Sequence, residues 1–263
     1  MLKFCSLFSG SSGNSLLVQS ENAKILVDVG VSGKKIIDAL TSININISEI
    51  NAIIISHEHS DHIKSLKILS NKFNIPVYAN KETWNAMPLE YEKVDKENIR
   101  YFELDKQFNI KDLKILPFSI PHDAANPCGF NVFNDNSKIS IATDIGNMTP
   151  QVFNSLENSS FILLESNYDP DVLKYSSYPY KLKERISGPI GHLPNYLAGE
   201  TISKLIHTGL KSVMLGHLSK ENNFPELAYQ TVIEELSKSN LPNNCIEVNV
   251  ASRYEPSKII EIA

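Results

Sequence analysis

The chain has 263 residues, 42% of them hydrophobic, enough to bury a sizeable core and too apolar for a disordered segment. Its 25 Lys+Arg against 30 Asp+Glu leave a net charge of −5, so no whole-chain basic field draws it onto nucleic acid and only a local basic patch stays open to that role. Cys5, Cys128 and Cys245 are odd in number, far apart and without CxxC spacing, which argues against a disulfide framework or a cysteine zinc site and fits a reducing cytoplasm.

The opening stretch, MLKFCSLFSGSSGNS, holds one lysine and too short an apolar run for a signal peptide. No segment approaches the roughly 18 apolar residues of a membrane span, so the expectation is a cytoplasmic protein with no membrane partner. Residues 3–8, 16–19 and 24–27 read as short strands, broken by a Gly/Ser turn at 9–15 and by Glu21-Asn22. Ser32 stands at an N-cap position before GKKIIDALTSI, where Ile36, Ile37 and Leu40 share a helical face. Residues 51–56 read as a buried strand and 63–73 as a helix with Ile63, Leu66, Leu69 and Phe73 on one side. The middle, 99–143, alternates strand-like runs such as LKILPFSI, GFNVF and KISIAT. The last third carries helices at 196–206 and 225–236 and strands FILLE and SVMLG. Trp84 and Cys128 read as core. With no repeat of fixed period, no low-complexity tract and no long linker, a single α/β (α+β) domain over 1–263 is the simplest organisation. Hairpin-like strand clusters separated by helices suit two helix-covered sheets better than a strict βαβ alternation.

Three histidines and an aspartate crowd into HEHSDH, residues 57–62, directly after the apolar run 52–55. His57 and His59 are two apart, so in an extended segment they point to the same side; Asp61 and His62 follow where the chain turns into a helix. Imidazole and carboxylate without thiolate suit zinc, manganese or iron, and such pairs can serve two neighbouring ions. Further ligand types stand at the ends of strand-like runs: His122 after KILPFSIP, Asp144 after KISIAT and His217 after SVMLG. Singly each has a plainer reading, as a turn, an Asx turn and a core histidine; together they complete a set.

These residues resemble the ordered motifs of the metallo-β-lactamase fold superfamily: HEHSDH, the strand ending in Asp28 (KILVDVG), His122, the aspartate of ATDIG and the histidine of LGHLS. The resemblance implies a four-layer αββα sandwich with a dinuclear site at one edge. It implies His57, His59 and His122 on one ion, Asp61, His62 and His217 on the other, Asp144 between them, and Asp28 supporting the loop. The stretches SGSSGNSLLV, 163–195 and LGHLSKENNFPELA are similar to the YycJ/WalJ-type exonuclease branch, whose implied activity is 5′ to 3′ DNA exonuclease. Where that branch usually has serine after Gly-His-Leu this chain has Pro194, which leaves the expected helix cap to Asn195, a residue also expected among the substrate-phosphate contacts.

Two divalent cations lower the pKa of a shared water toward 7 and neutralise charge on an attacked phosphate. In that scheme Asp61 orients the hydroxide and receives its proton, if its second oxygen faces it. His192, close before a helix start, is the candidate to hydrogen-bond the scissile phosphate or protonate a departing oxygen, with a loop-capping histidine as the plainer alternative. Ser12 and Asn14 in the Gly/Ser turn form a candidate phosphate cradle, or an ordinary hairpin turn. Lys181, Lys183 and Arg185, close behind Tyr175, Tyr178 and Tyr180, either track a nucleic-acid backbone and stack a terminal base or form a solvated helix face over packed tyrosines; Arg253 is a further phosphate candidate. Three functions follow: a metal-dependent phosphodiesterase acting on DNA, with RNA an open alternative; a hydrolase of a thioester, lactone or cyclic phosphodiester; and a non-catalytic metal-stabilised binding protein.

Overall fold

Both faces of nearly every central strand are apolar, and the structure explains why: two seven-stranded sheets stack on each other and each is covered on its outer side by helices. The computed structural model describes residues 1–88, 93–135, 137–239 and 246–262; Cys245 lies outside them. In the first sheet β1 (Leu2–Phe8), β2 (Ser15–Gln19) and β3 (Lys24–Val27) form an antiparallel meander. After α1 (Gly33–Ser42) the chain turns to parallel pairing with β4 (Ala52–Ile54). Then come α2 (Ser60–Ile63), α3 (Leu66–Phe73), β5 (Val77–Ala79), α4 (Lys81–Ala86) and β6 (Ile99–Tyr101), the strands again parallel.

The second sheet repeats this rule. β7 (Phe108–Ile110), β8 (Leu113–Ser119), β9 (Cys128–Asn134) and β10 (Ser137–Ala142) are antiparallel. α5 (Pro150–Leu156) leads to β11 (Phe161–Glu165); α6 (Pro170–Tyr175), α7 (Tyr180–Ser187) and α8 (Asn195–Leu205) lead to β12 (Ser212–Gly216); α9 (Pro225–Lys238) leads to β13 (Glu247–Val250). These crossovers keep β10 to β13 parallel. β14 (Ile260–Ile262) then returns to pair antiparallel with β1. Each sheet is therefore three antiparallel steps followed by three parallel ones, in the orders β14-β1-β2-β3-β4-β5-β6 and β7-β8-β9-β10-β11-β12-β13. The duplication has no fixed sequence period, but it leaves a trace: LVDVG follows into the turn after β3 as ATDIG does after β10. Asp28 and Asp144 occupy these equivalent turns with φ of 59° and 60°.

Strand alternation sorts the side chains between layers. Leu2 and Phe4 of β1, Ile25 and Val27 of β3, and Phe130 and Phe161 of the opposite sheet fill the space between the sheets, with the Phe4 and Phe161 ring centroids 4.7 Å apart. Their neighbours Cys5, Leu7 and Leu26 turn outward against Ile36, Leu40, Leu66 and Leu69 of α1 and α3. On the far side Ile162, Leu164, Val213 and Leu215 meet α5, α8 and α9. Ser32 caps α1 as expected, accepting from the Lys35 N–H. Trp84 and Cys128 are buried. The helix expected over 63–73 is instead broken at Lys64-Ser65. In an unbroken helix the Ser65 N–H would donate to the Asp61 carbonyl; here it donates to Val29 and the Asp61 carbonyl accepts from Asn14 N–H at 2.9 Å. Bonds to neighbouring loops thus outweigh helical continuity and fix where Asp61 and His62 point.

Candidate metal centre

The carboxyl ends of the parallel strands of both sheets meet along one edge, and the clustered side chains come from the turns there. Asp28 follows β3, His57 follows β4, Asp144 follows β10, Glu165 ends β11 and His217 follows β12. Asp28, Asp144 and His217 all have left-handed backbones, the last with φ of 54°. For a residue other than glycine this costs about 1–2 kcal/mol, and strain of this kind persists where surrounding bonds hold it. His217 is held at both ends: its N–H donates to Ser9 Oγ at 2.8 Å and its carbonyl accepts from Asn167 at 2.7 Å. Gly30 lets the loop after β3 lie against the Asp61 carbonyl, which a Cβ would meet at 1.5 Å.

The extended segment after β4 does place His57 and His59 on one side, their ring centroids 4.6 Å apart, while Glu58 turns away and accepts from the Ala125 N–H. His57, His59 and His122 form one group whose ligand atoms can share an ion; Asp61, His62 and His217 form another. Asp144 stands between them, its Oδ2 3.3 Å from His62 Nε2 and its Oδ1 3.6 Å from His122 Nε2 and 3.5 Å from His217 Nδ1. His57 Nε2, His217 Nε2 and Asp144 Oδ2 are buried without any hydrogen-bond partner. A buried polar atom left unpaired costs free energy, so three such atoms distributed over these neighbouring groups fit a set of cation ligands.

Each buried imidazole is oriented through its other nitrogen. Asp28 Oδ2 lies 2.7 Å from His62 Nδ1 and also accepts from the Ser56 hydroxyl, while Asp28 Oδ1 accepts from the Ser56 N–H. His122 Nδ1 donates to the Gly191 carbonyl at 3.0 Å. Glu165, fully buried, takes both His192 Nδ1 and His217 Nδ1 on Oε1 at 2.8 Å, and the N–H groups of Ile145 and Leu193 on Oε2. Glu165 is the residue that the sequence reading missed. Its signal was present: FILLE is an apolar strand run ending in an acid, as KILVD is at Asp28.

On the protein groups alone, burial would lower His62, but the carboxylates of Asp28, Asp144 and Asp61 outweigh it and hold it well above the usual histidine range. Burial likewise opposes a charge on His217, yet Asp144, Asp61 and Glu165 raise it to about 10. Burial would raise Asp61 and Asp144; the neighbouring histidines keep both carboxyls well below the usual carboxylate range. His57, by contrast, is pushed down by burial and by the charge on His62.

The remaining candidates divide. The candidate ligand residues open on a cleft of about 230 Å³ whose walls include Ser11, Tyr178, Leu182, Arg185 and His192. Arg185 reaches it while paired with Asp123, Nε to Oδ2 at 2.5 Å. The backbone donors of the turn before α8 are already taken, His192 N–H by Ile186, Leu193 N–H by Glu165 and Asn195 N–H by Tyr168, so the anion at this turn is the protein's own carboxylate. Asn195 does not cap α8: Pro194 occupies the cap position, and the fully buried Asn195 side chain bonds Ser166 and Asn223 and has no surface toward the cleft. Asn14 is also buried, accepting from Gly10 N–H and facing His62 Nε2 at 3.3 Å. Ser12 is exposed and accepts from Arg253, which also donates to the Leu218 carbonyl. Lys181 is exposed on α7, whereas the Lys183 ammonium donates to the carbonyls of Lys174 and Ser176.

Residues 9–175 match the profile of the Metallo-beta-lactamase superfamily, more than half of the chain. The chain belongs to this superfamily. It is 38% identical to the exodeoxyribonuclease WalJ of Streptococcus pneumoniae serotype 2 over 91% of this chain and 90% of that protein. It is 34% identical to the exodeoxyribonuclease YycJ of Bacillus anthracis over 98% of each. The metallo-beta-lactamase fold protein YhfI from Bacillus subtilis superposes with a TM-score of 0.70 at 16% identity, over 98% of this chain and 100% of that one, and shares the fold. The αββα sandwich expected from the sequence is thus the observed one.

Proposed function

We propose that the protein is a metal-dependent exodeoxyribonuclease that degrades DNA from the 5′ end. The observation that carries the reading is the pair of neighbouring ligand groups beside one cleft, with three unpartnered buried ligand atoms among them, in a chain whose relatives are named exodeoxyribonucleases. His57, His59 and His122 would hold one divalent cation, Asp61, His62 and His217 the other, and Asp144 both; manganese, zinc and iron all suit these nitrogen and oxygen donors. When bound, such a pair supplies hydroxide from water at neutral pH and offsets charge on the phosphate.

The chain's own groups supply the rest. Asp61 Oδ2 sits within 3.5 Å of His62 and His217, which leaves Oδ1 to orient a water. Held ionised, the carboxylate is a better positioner than a store for the proton. His192, its Nδ1 fixed by Glu165 and its side chain partly exposed at the cleft, presents Nε2 to a departing oxygen. Arg185 and Ser11 flank the route of the phosphate. A cleft of this size, walled by α7, admits a strand end more readily than continuous duplex, which favours exonucleolytic attack. No helix among the described residues is long and apolar enough to cross a membrane, and a cytoplasmic site of action suits a chain with buried free Cys5 and Cys128.

The test is turnover of long DNA beside that of nitrophenyl phosphodiesters and thioesters with Mn²⁺, Zn²⁺ or Fe²⁺. A strong preference for DNA supports the proposal; efficient hydrolysis of the small esters with none of DNA would transfer the site to small-molecule chemistry.

A further inference from the structure

Beside the metal cleft, and sharing Tyr178 with it, lies a larger cavity of about 710 Å³. Tyr168, Tyr178, Tyr180 and Tyr196 line it, with Lys174 and Lys183 at its side and Glu184 as the one carboxylate among the described lining residues. The cavity is built by a unit with its own small core: Tyr168, Leu173 and Ile186 pack together with Tyr178 and Leu182, apart from the core between the sheets. Arg185 ties this unit to Asp123, next to His122. Tyr180 and Tyr196 are 74% and 41% exposed, so their ring faces are not spent on the core. Tyr168 is buried, and burial pushes its hydroxyl up to about 12, so it is neutral throughout the working range.

This is not a phosphate site. The Lys183 ammonium is satisfied by two backbone carbonyls at 2.7 Å, and Lys174 Nζ lies 5.1 Å over the Tyr175 ring. What the cavity offers is flat aromatic surface with cations at its margin, the combination that stacks unpaired bases while leaving the backbone to charged neighbours. Its volume lies within the ordinary range for sites that enclose a small planar ligand. Tyr178 is common to the walls of this cavity and of the metal cleft, so a base seated against that residue would neighbour a phosphate bound in the cleft.

We propose that the tyrosine cavity is a nucleobase subsite, which takes an unstacked base of the strand adjoining the scissile phosphodiester. The inference rests on the nuclease reading above. It makes the enzyme sensitive to the presence of a base more than to its identity, because every base has a π-face on which tyrosine rings can stack. It also requires the strand end to be unpaired as it enters.

The experiment is an abasic scan. Metal-loaded protein is given 5′-labelled single-stranded oligonucleotides, intact or with one abasic unit placed at successive positions from the end, and kcat and KM are read for each. The same series is run with Tyr180→Ala, Tyr196→Ala and the conservative Tyr180→Phe, each checked for wild-type metal content and melting temperature. With wild-type protein one position should show a KM raised about tenfold when its base is removed, the size expected for one lost stacking contact. The alanine variants should show that raised KM on intact DNA and no further penalty from the abasic unit, and Tyr180→Phe should behave as wild type. Equal handling of intact and abasic DNA by the wild type, with unchanged KM in the alanine variants, would overturn the subsite and leave the nuclease standing. Failure of the wild type to cleave any DNA would remove the nuclease reading and this inference with it.

Discussion

Glu165 does at one end of the site what Asp28 does at the other: a buried carboxylate at the end of a strand fixes the histidines that face the cleft. Glu165→Gln keeps the shape but removes the charge and one acceptor oxygen. It should cost about 10- to 100-fold in metal affinity, read by competition with a chelator, while secondary structure persists. Unchanged affinity would mean that Glu165 only fills space. Asp61→Asn should lower turnover by on the order of 10²-fold or more with the fold retained, and wild-type turnover would remove Asp61 from the mechanism. The clustering of the candidate ligands was legible because four of them sit in six consecutive positions and the others end recognisable strand runs. Glu165 was overlooked because its signal, an acid closing an apolar strand run, is weak alone and gains weight only beside the like ending at Asp28. Asn195 was misplaced for the opposite reason: proximity to a helix start suggested a cap, and only the packing of Ser166 and Asn223 shows where its amide is used.

At the scale of elements, the α6–α7 unit decides how the cleft is reached. The basic cluster of α7 divides once its contacts are known: Lys183 holds the end of α6, Arg185 holds Asp123, and Lys181 is left in solvent. Lys181→Ala should therefore flatten the salt dependence of DNA binding by about 0.7–0.9 in log–log slope, one phosphate contact, whereas Lys183→Ala should lower the melting temperature more than the slope. Equal slopes for wild type and Lys181→Ala would return that lysine to a merely solvated role. The broken helix at Lys64-Ser65 shows the limit of periodicity: apolar spacing placed the right residues on one face, but the break is set by Asn14 and Val29, remote in sequence.

At the scale of the molecule, two sheets of the same topology bring two Asp-x-Gly turns to one edge, and the acids and histidines gathered there need cations or protons to coexist. His62 and His217 are raised above an ordinary histidine value of about 6.5, the latter to about 10. In metal-stripped protein their protonation contributes stability that is complete below about pH 6.5 and lost as pH rises toward 10. Its urea midpoint should fall over that window, while metal-loaded protein, in which cations replace those protons, should hold or gain; parallel profiles would contradict this linkage. The two-sheet architecture was readable from strand clustering, but the duplication was not, since its halves differ in crossover length and share little beyond Asp28-Val29-Gly30 and Asp144-Ile145-Gly146. The measurement that bears most directly on the whole account is degradation of end-labelled DNA by protein of known metal content, beside a His59→Ala control. Stepwise loss of nucleotides from the 5′ end, dependent on two bound ions and abolished in the control, is the predicted result. Intact DNA in the presence of protein carrying both ions would contradict it.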